Sequence, residues 1–133
     1  GGLWVLASIS GSIERNPKLN SANGNTPHGG IVAFKVEEVN GKPVLTPEWV
    51  SRDLMNPASP AIANGIVFAL AKGDASNHAI LYALDAITGK ELYSSGDAIN
   101  AYIQSSGVSI GDGHVFLTTH DNTLYSFGIP MEH

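Results

Sequence analysis

The sequence predicts an all-β protein, and more narrowly a partial β-propeller of four-stranded antiparallel blades, one complete and two incomplete. Three observations predict it. The apolar runs are short, rich in β-branched and aromatic residues, and end at Gly, Asn, Asp or Pro, which is how strands are punctuated; fifteen Gly and seven Pro among 133 residues fit that reading. No segment carries a helical signal. The chain also repeats itself. Setting Gly65 on Gly113 lays "AIANGIVFAL" over "SIGDGHVFLT" at a spacing of 48 residues, and a unit of about 45 residues is the period of a propeller blade.

With strands lettered A to D from the channel outward, the copies read in order. The first (about 1–50) has B at "LWVLA" (3–7), C at "IVAFK" (31–35) and D after the "NGK" corner (40–42), but no A. The second (about 57–95) has all four, with B at "IVFAL" (66–70), C at "LYALD" (81–85) and D beyond the "TGK" corner (88–90). The third (about 106–129) has A, then B at "HVFLT" (114–118) and C at "LYSFG" (124–128), and no D. Gly at the corners accepts positive φ without steric cost, so each corner is a tight hairpin. Two and a half blades cannot close a ring of about four to eight, and open edges template aggregation. Residues 1–133 are therefore expected to be the C-terminal part of one longer propeller domain. Its partners would be the missing N-terminal blades or further copies of the chain, with a protein partner as a further option.

Composition narrows the function classes. Net charge is −5 and the seven Lys and Arg are scattered singly, which gives nucleic acid no electrostatic footprint. No apolar run reaches the length of about 18 residues a membrane span needs. Cysteine is absent, which excludes a disulfide, a thiolate metal site and a Cys nucleophile together. The opening "GGLWVLASIS" lacks the basic region and cleavage site of a signal peptide and reads as the middle of a strand.

At "LYALDAITGKELY" and "GDGHVFLTTHDNTLYSFGIP" the chain resembles the blades of PQQ-type, quinoprotein-like β-propellers. The family's blade-docking motif is matched by Ala83, Asp85, Thr88, Gly89 and Lys90, with Tyr93 where Trp is usual. The first copy departs from it, with Lys35 at the Asp position and a longer hairpin closed by Trp49; the third has Gly128 there. The resemblance covers 57–129 well and 1–50 less well, and it is specific for fold rather than activity. It implies a bacterial protein of the periplasm or a secreted one. The family includes dehydrogenases that hold PQQ and calcium, and cofactor-free scaffolds. A dehydrogenase would be expected to show a vicinal Cys pair and calcium-ligating acids; the Cys pair is absent and no acidic cluster stands out. This chain supports no cofactor by itself, and PQQ and calcium enter only if the full-length parent is a dehydrogenase.

No catalytic or metal site is expected. Among His28, His78, His114, His120 and His133 no pair has the i,i+4 spacing of a helical zinc motif. His114 reads as a turn residue, and His120 and Asp121, taken as the end of strand B, would point to opposite faces. "GDGH" and "KGDASNHA" lack the helix of a phosphate cradle and the carboxylate pattern of an EF-hand, so both read as plain turns. Glu37 and Glu38 diverge on a strand. Ser94, Ser95, Ser105 and Ser106 sit in no nucleophile elbow. Tyr82, Tyr93, Tyr125, Phe68, Phe116, Trp4 and Trp49 read as packing between blades.

Topology supplies the binding hypothesis. In an antiparallel four-stranded blade, the B–C and D–A connections emerge on one face, and 9–29, 51–58 and 94–106 are the long ones. Glu14, Arg15, His28, Arg52, Asp53, Asp97, Asn100, Tyr102 and Gln104 form the candidate binding face at the channel mouth. The expected function is a non-catalytic scaffold for protein or ligand binding. The alternatives are a fragment of a PQQ- and calcium-dependent quinoprotein dehydrogenase and a module that closes its propeller by self-assembly.

Overall fold

The structure is a computed structural model that describes residues 3–11, 26–104 and 108–128. Its ten strands form three antiparallel sheets. Sheet 1 is β1 (Leu3–Ser10), β2 (Gly29–Val39) and β3 (Lys42–Val50), in that order. Sheet 2 has four strands in sequence order: β4 (Ala61–Ala63), β5 (Ile66–Ala71), β6 (Ile80–Asp85) and β7 (Glu91–Ser94). Sheet 3 is β8 (Ser109–Gly111), β9 (His114–Thr118) and β10 (Leu124–Gly128). The chain is thus all-β, with the strands of one complete blade and two incomplete ones.

The hairpins follow from local chemistry. Asn40–Gly41, Asn64–Gly65 and Asp112–Gly113 all adopt positive φ at both positions, the type I′ geometry whose twist matches the flanking strands. The last two are the corners brought together by aligning Gly65 with Gly113. Past them the registers repeat: Ile62 faces Val67 in one sheet and Ile110 faces Val115 in the other.

β5 and β6 are buried along nearly their whole length, whereas exposure alternates along β1 and β10. Sheet 2 lies between the other two, so both of its faces are covered. On one side Val67, Ala69, Ala71, Tyr82 and Leu84 pack with Ile31, Ala33, Trp49 and Leu54 around sheet 1. On the other, Phe68, Leu70, Leu81 and Ala83 pack with Val115 and Leu117 of sheet 3, and Ile99 and Ile103 seal the connection between the sheets. Each fully buried Leu or Ile contributes roughly 1.5–3 kcal/mol. The terminal sheets have one covered face each, and alternation follows from the pleat.

Those two outer faces differ. In sheet 1 the residues opposite Ile31 and Ala33 are apolar across all three strands: Leu3, Val5 and Ile9, then Phe34 and Val36, then Leu45. Leu3 is 69% and Leu45 53% exposed. In sheet 3 the face turned from sheet 2 is mixed, carrying Ser109, His114, Thr118 and Ser126 together with Phe116 and the exposed Leu124. Thr118 and Ser126 stand in register where sheet 2 has Leu70 and Ala83.

One expectation needs correction, that for His120 and Asp121. Phe116 lies on the face turned from sheet 2, with His114 as its ring neighbour at 6.0 Å. β9 ends at Thr118; His120 and Asp121 lie in the following turn, where Asp121 Oδ1 accepts from the Thr119 hydroxyl and from Thr123 N–H. The strand-parity argument therefore does not apply to that pair. The Asp85 carboxylate bonds across its own corner, accepting from Ile87 N–H at 2.8 Å and Thr88 N–H at 3.0 Å.

Candidate functional site

The Thr88–Gly89–Lys90 corner is a docking feature, and its partner is Trp49 of the preceding sheet. Asp85 Oδ1 caps two backbone N–H groups, Gly89 N–H donates to Asp85 O at 2.8 Å, and Lys90 N–H donates to Thr88 Oγ1 at 3.2 Å. The donated N–H groups of Thr88 and Ile87 hold the Asp85 carboxyl below the usual carboxylate range. Trp49, 1% exposed, lies against this corner and donates Nε1–H to Ala86 O at 3.0 Å. Gly89 is required there: it has φ +75°, and an added Cβ would sit 2.6 Å from the indole. Arg52 reinforces the junction, 4.6 Å above the Tyr82 ring and 2.9 Å from Glu91 Oε1. The hydrogen bond to Glu91 raises the Arg52 pKa, outweighing a smaller opposing effect of burial. Burial raises the Tyr82 phenol. Tyr93, at the family's Trp position, is 47% exposed and meets Phe127 edge-on at 6.4 Å.

A second repeated device lies at the other end of the sheets. Ser51 follows β3 and Ser95 follows β7; each donates its backbone N–H to, and accepts through its hydroxyl from, the facing strand residue, Ile31 in one case and Leu81 in the other. Both serines are buried, so the hydroxyl replaces a ladder carbonyl where the strands part. Two residues on, Asp53 and Asp97 reach histidines that precede the same strands: His28 Nδ1 lies 2.6 Å from Asp53 Oδ2, and His78 Nε2 lies 3.2 Å from Asp97 Oδ1. Asp53 Oδ1 also accepts from His28 N–H at 2.7 Å and Gly29 N–H at 3.3 Å. Burial pushes the Asp53 carboxyl up, but the hydrogen bonds from His28 and Gly29 prevail and it lies below the usual range. The pattern S-x-D after strand D with H-x-x-[IL] entering strand C is legible in the sequence, although it emerges only when strands are aligned by pairing rather than by turn.

On the same side, the connections between strands gather around a cavity of about 310 Å³ lined by Ser10, Asn56, Lys72, Gly73, Asp74, Ala75, Tyr102, Ile103 and Gln104. Backbone bonds tie its walls together. Lys72 N–H donates to Asn56 O at 3.1 Å, Gly73 N–H to Met55 O at 3.2 Å, and Ile103 N–H to Lys72 O at 2.9 Å. The Asn56 amide donates to Gly73 O at 2.8 Å. Asp74 Oδ1 accepts from Ser76 N–H and the Asn77 amide, which keep its carboxyl below the usual range. Tyr102 stacks on His120 at 4.0 Å, with His120 N–H bonded to Tyr102 O.

Of the sequence-designated face, Tyr102 and Gln104 line this cavity. His28 and Asp53 pair with each other, Arg52 is engaged between sheets, Asp97 meets His78, and Asn100 N–H donates to the Tyr125 hydroxyl at 3.3 Å. Glu14 and Arg15 lie outside the described residues. The sequence reading passed over the 72–79 connection, taking "KGDASNHA" as a plain turn. It is a turn, closed by Asp74 and Asn77, and it also forms one wall of the cavity. The signal was topological: 72–79 is the B–C connection of the complete copy, the equivalent of 9–29. Among the described residues no three His, Asp or Glu side chains converge as a metal site. Among the described residues no helix is long and apolar enough to cross a membrane. Comparison with protein-family models, with curated proteins and with solved structures returns no match.

Proposed function

We propose that the protein is a non-catalytic binding scaffold of PQQ-type propeller character that takes its ligand or partner at the face where the B–C and D–A connections meet. The observation carrying this reading is the polar cavity built from four separate segments, 10, 56, 72–75 and 102–104. Concave sites at the meeting of connections on a rigid scaffold are where binding residues concentrate. Buried sheet junctions hold the connections, and short backbone bonds hold the walls, so the site needs little ordering before it binds. An exported compartment and a parent chain supplying further blades belong to the same proposal, on the strength of the sequence resemblance.

The test is amide NMR of the labelled chain with a library of small polar fragments. Shifts are expected to cluster at Asn56, 72–75 and 102–104. Shifts clustering at the opposite hairpin corners, 40–41 or 86–90, or no site-specific shift at all, would overturn the reading.

A further inference from the structure

The cavity carries one cation and one anion, on either side of Gly73, and they are in different states. Lys72 is half-buried and has no carboxylate within ion-pair distance among the described residues, whereas Arg52 is paired with Glu91. An ammonium with no carboxylate beside it is open to an incoming anion, to which it can donate charge-assisted hydrogen bonds. Lys35, Lys42 and Lys90 are likewise without an ion pair among the described residues, and Lys72 is the one of these that lines the cavity. Asp74 is the opposite case: its Oδ1 is occupied by its own loop, and Oδ2 remains to accept a donor. The backbone between the two charges is fixed at Gly73. A Cβ at Gly73 would strike the Asn77 carbonyl, and the Gly73 carbonyl is held by Asn56.

Between the charges the lining is hydroxyl and amide: Ser10, Asn56, Tyr102 and Gln104. Asn56 spends its amide N–H on Gly73 O and keeps its side-chain oxygen as an acceptor. The Gln104 amide offers both donors and an acceptor. A volume of about 310 Å³ is at the small end of ligand sites. Resting on the mouth-face reading above, we infer that the cavity binds a small zwitterion of the α-amino-acid or dipeptide class. The carboxylate sits at Lys72, the ammonium at Asp74, and the amide or side-chain polar groups at Asn56 and Gln104.

The experiment is isothermal titration of the whole chain with alanyl-glutamine, its N-acetyl form and its C-terminal amide. Saturable binding of the free dipeptide is expected, weakened about ten- to hundredfold by either cap, since each removes a charge-assisted contact. Lys72→Ala should weaken the free dipeptide similarly and Lys72→Arg should retain most of it, both with an unchanged thermal midpoint. Asp74→Asn should weaken the free dipeptide and leave the N-acetyl form unaffected. Absence of saturable binding, equal binding of capped and free forms, or binding indifferent to Lys72→Ala would overturn the inference. Fragment shifts clustering at the cavity alongside a failed dipeptide titration would sink the ligand class while leaving the binding face in place.

Discussion

The two junctions between sheets are built from the same positions and closed differently. Between sheets 1 and 2, Trp49 is buried on the Thr-Gly-Lys corner, bonded to Ala86 O, with Arg52 spanning Tyr82 and Glu91. Between sheets 2 and 3, the equivalent position is Tyr93, half-exposed, touching Phe127 by one ring edge. Near the mouth the second junction is tight, with Ile99 fully buried and Ile103 nearly so. The first junction is therefore latched at its outer hairpin and the second is held chiefly at the opposite end, by Ile99 and Ile103. A blade motif fixes the chain's path, while the residue closing the corner sets how firmly neighbours are joined.

The largest break in this comparison should come from Trp49→Ala, which empties the corner and orphans the Ala86 carbonyl. A loss of about 3–5 kcal/mol is expected, read from urea unfolding; a loss under about 1 kcal/mol would mean that the latch is decorative. Ser51→Ala comes next. It leaves the buried Ile31 N–H without its 2.8 Å acceptor, so a loss of about 1–3 kcal/mol is expected, with accelerated hydrogen exchange at Ile31 as the local readout. Tyr93→Ala should cost about 1 kcal/mol or less, since only an edge contact is lost. If Tyr93→Ala matched Trp49→Ala in denaturation, the two junctions would be equivalent after all.

The smallest effect is one of pH. The Asp85 and Asp53 carboxyls both lie below their ordinary range in the folded chain. A depressed folded pKa stabilises the protein above the unfolded value, and that stability is lost as pH falls through the folded one. Both groups lie at the rim of the sheets with part of the carboxylate in reach of solvent, so the loss is small. Thermal midpoints should decline as pH drops below the ordinary carboxylate range, and Asp85→Asn should flatten part of that decline. An unchanged acid limb in Asp85→Asn would remove the corner from the account.

Much of the fold was legible because strand chemistry is local. Asn-Gly and Asp-Gly corners announce themselves, and the short apolar runs between them mark the strands; which sheet has two covered faces was not legible, because "LWVLA" of β1 is as continuously apolar as "IVFAL" of β5. The candidate site was legible only in outline. Tyr102 and Gln104 could be placed at the mouth by counting connections. Lys72 and Asp74 could not, because a Gly-rich turn looks the same whether it ends in solvent or walls a cavity. His28 and Asp53 were assigned to one face without any sign that they hold each other.

The sequence by itself determined the strands, the three-fold recurrence of the unit and the corner that invites docking, since these depend on backbone conformation and on the alternation of side chains along each strand. The tertiary structure alone decided that Trp49 fills the corner around Gly89, that His28 meets Asp53, and that Asn56, Lys72 and Gln104 share one cavity. Those pairings join residues 16 to 48 positions apart. Their geometry is set by how twisted sheets stack, and no local pattern encodes it.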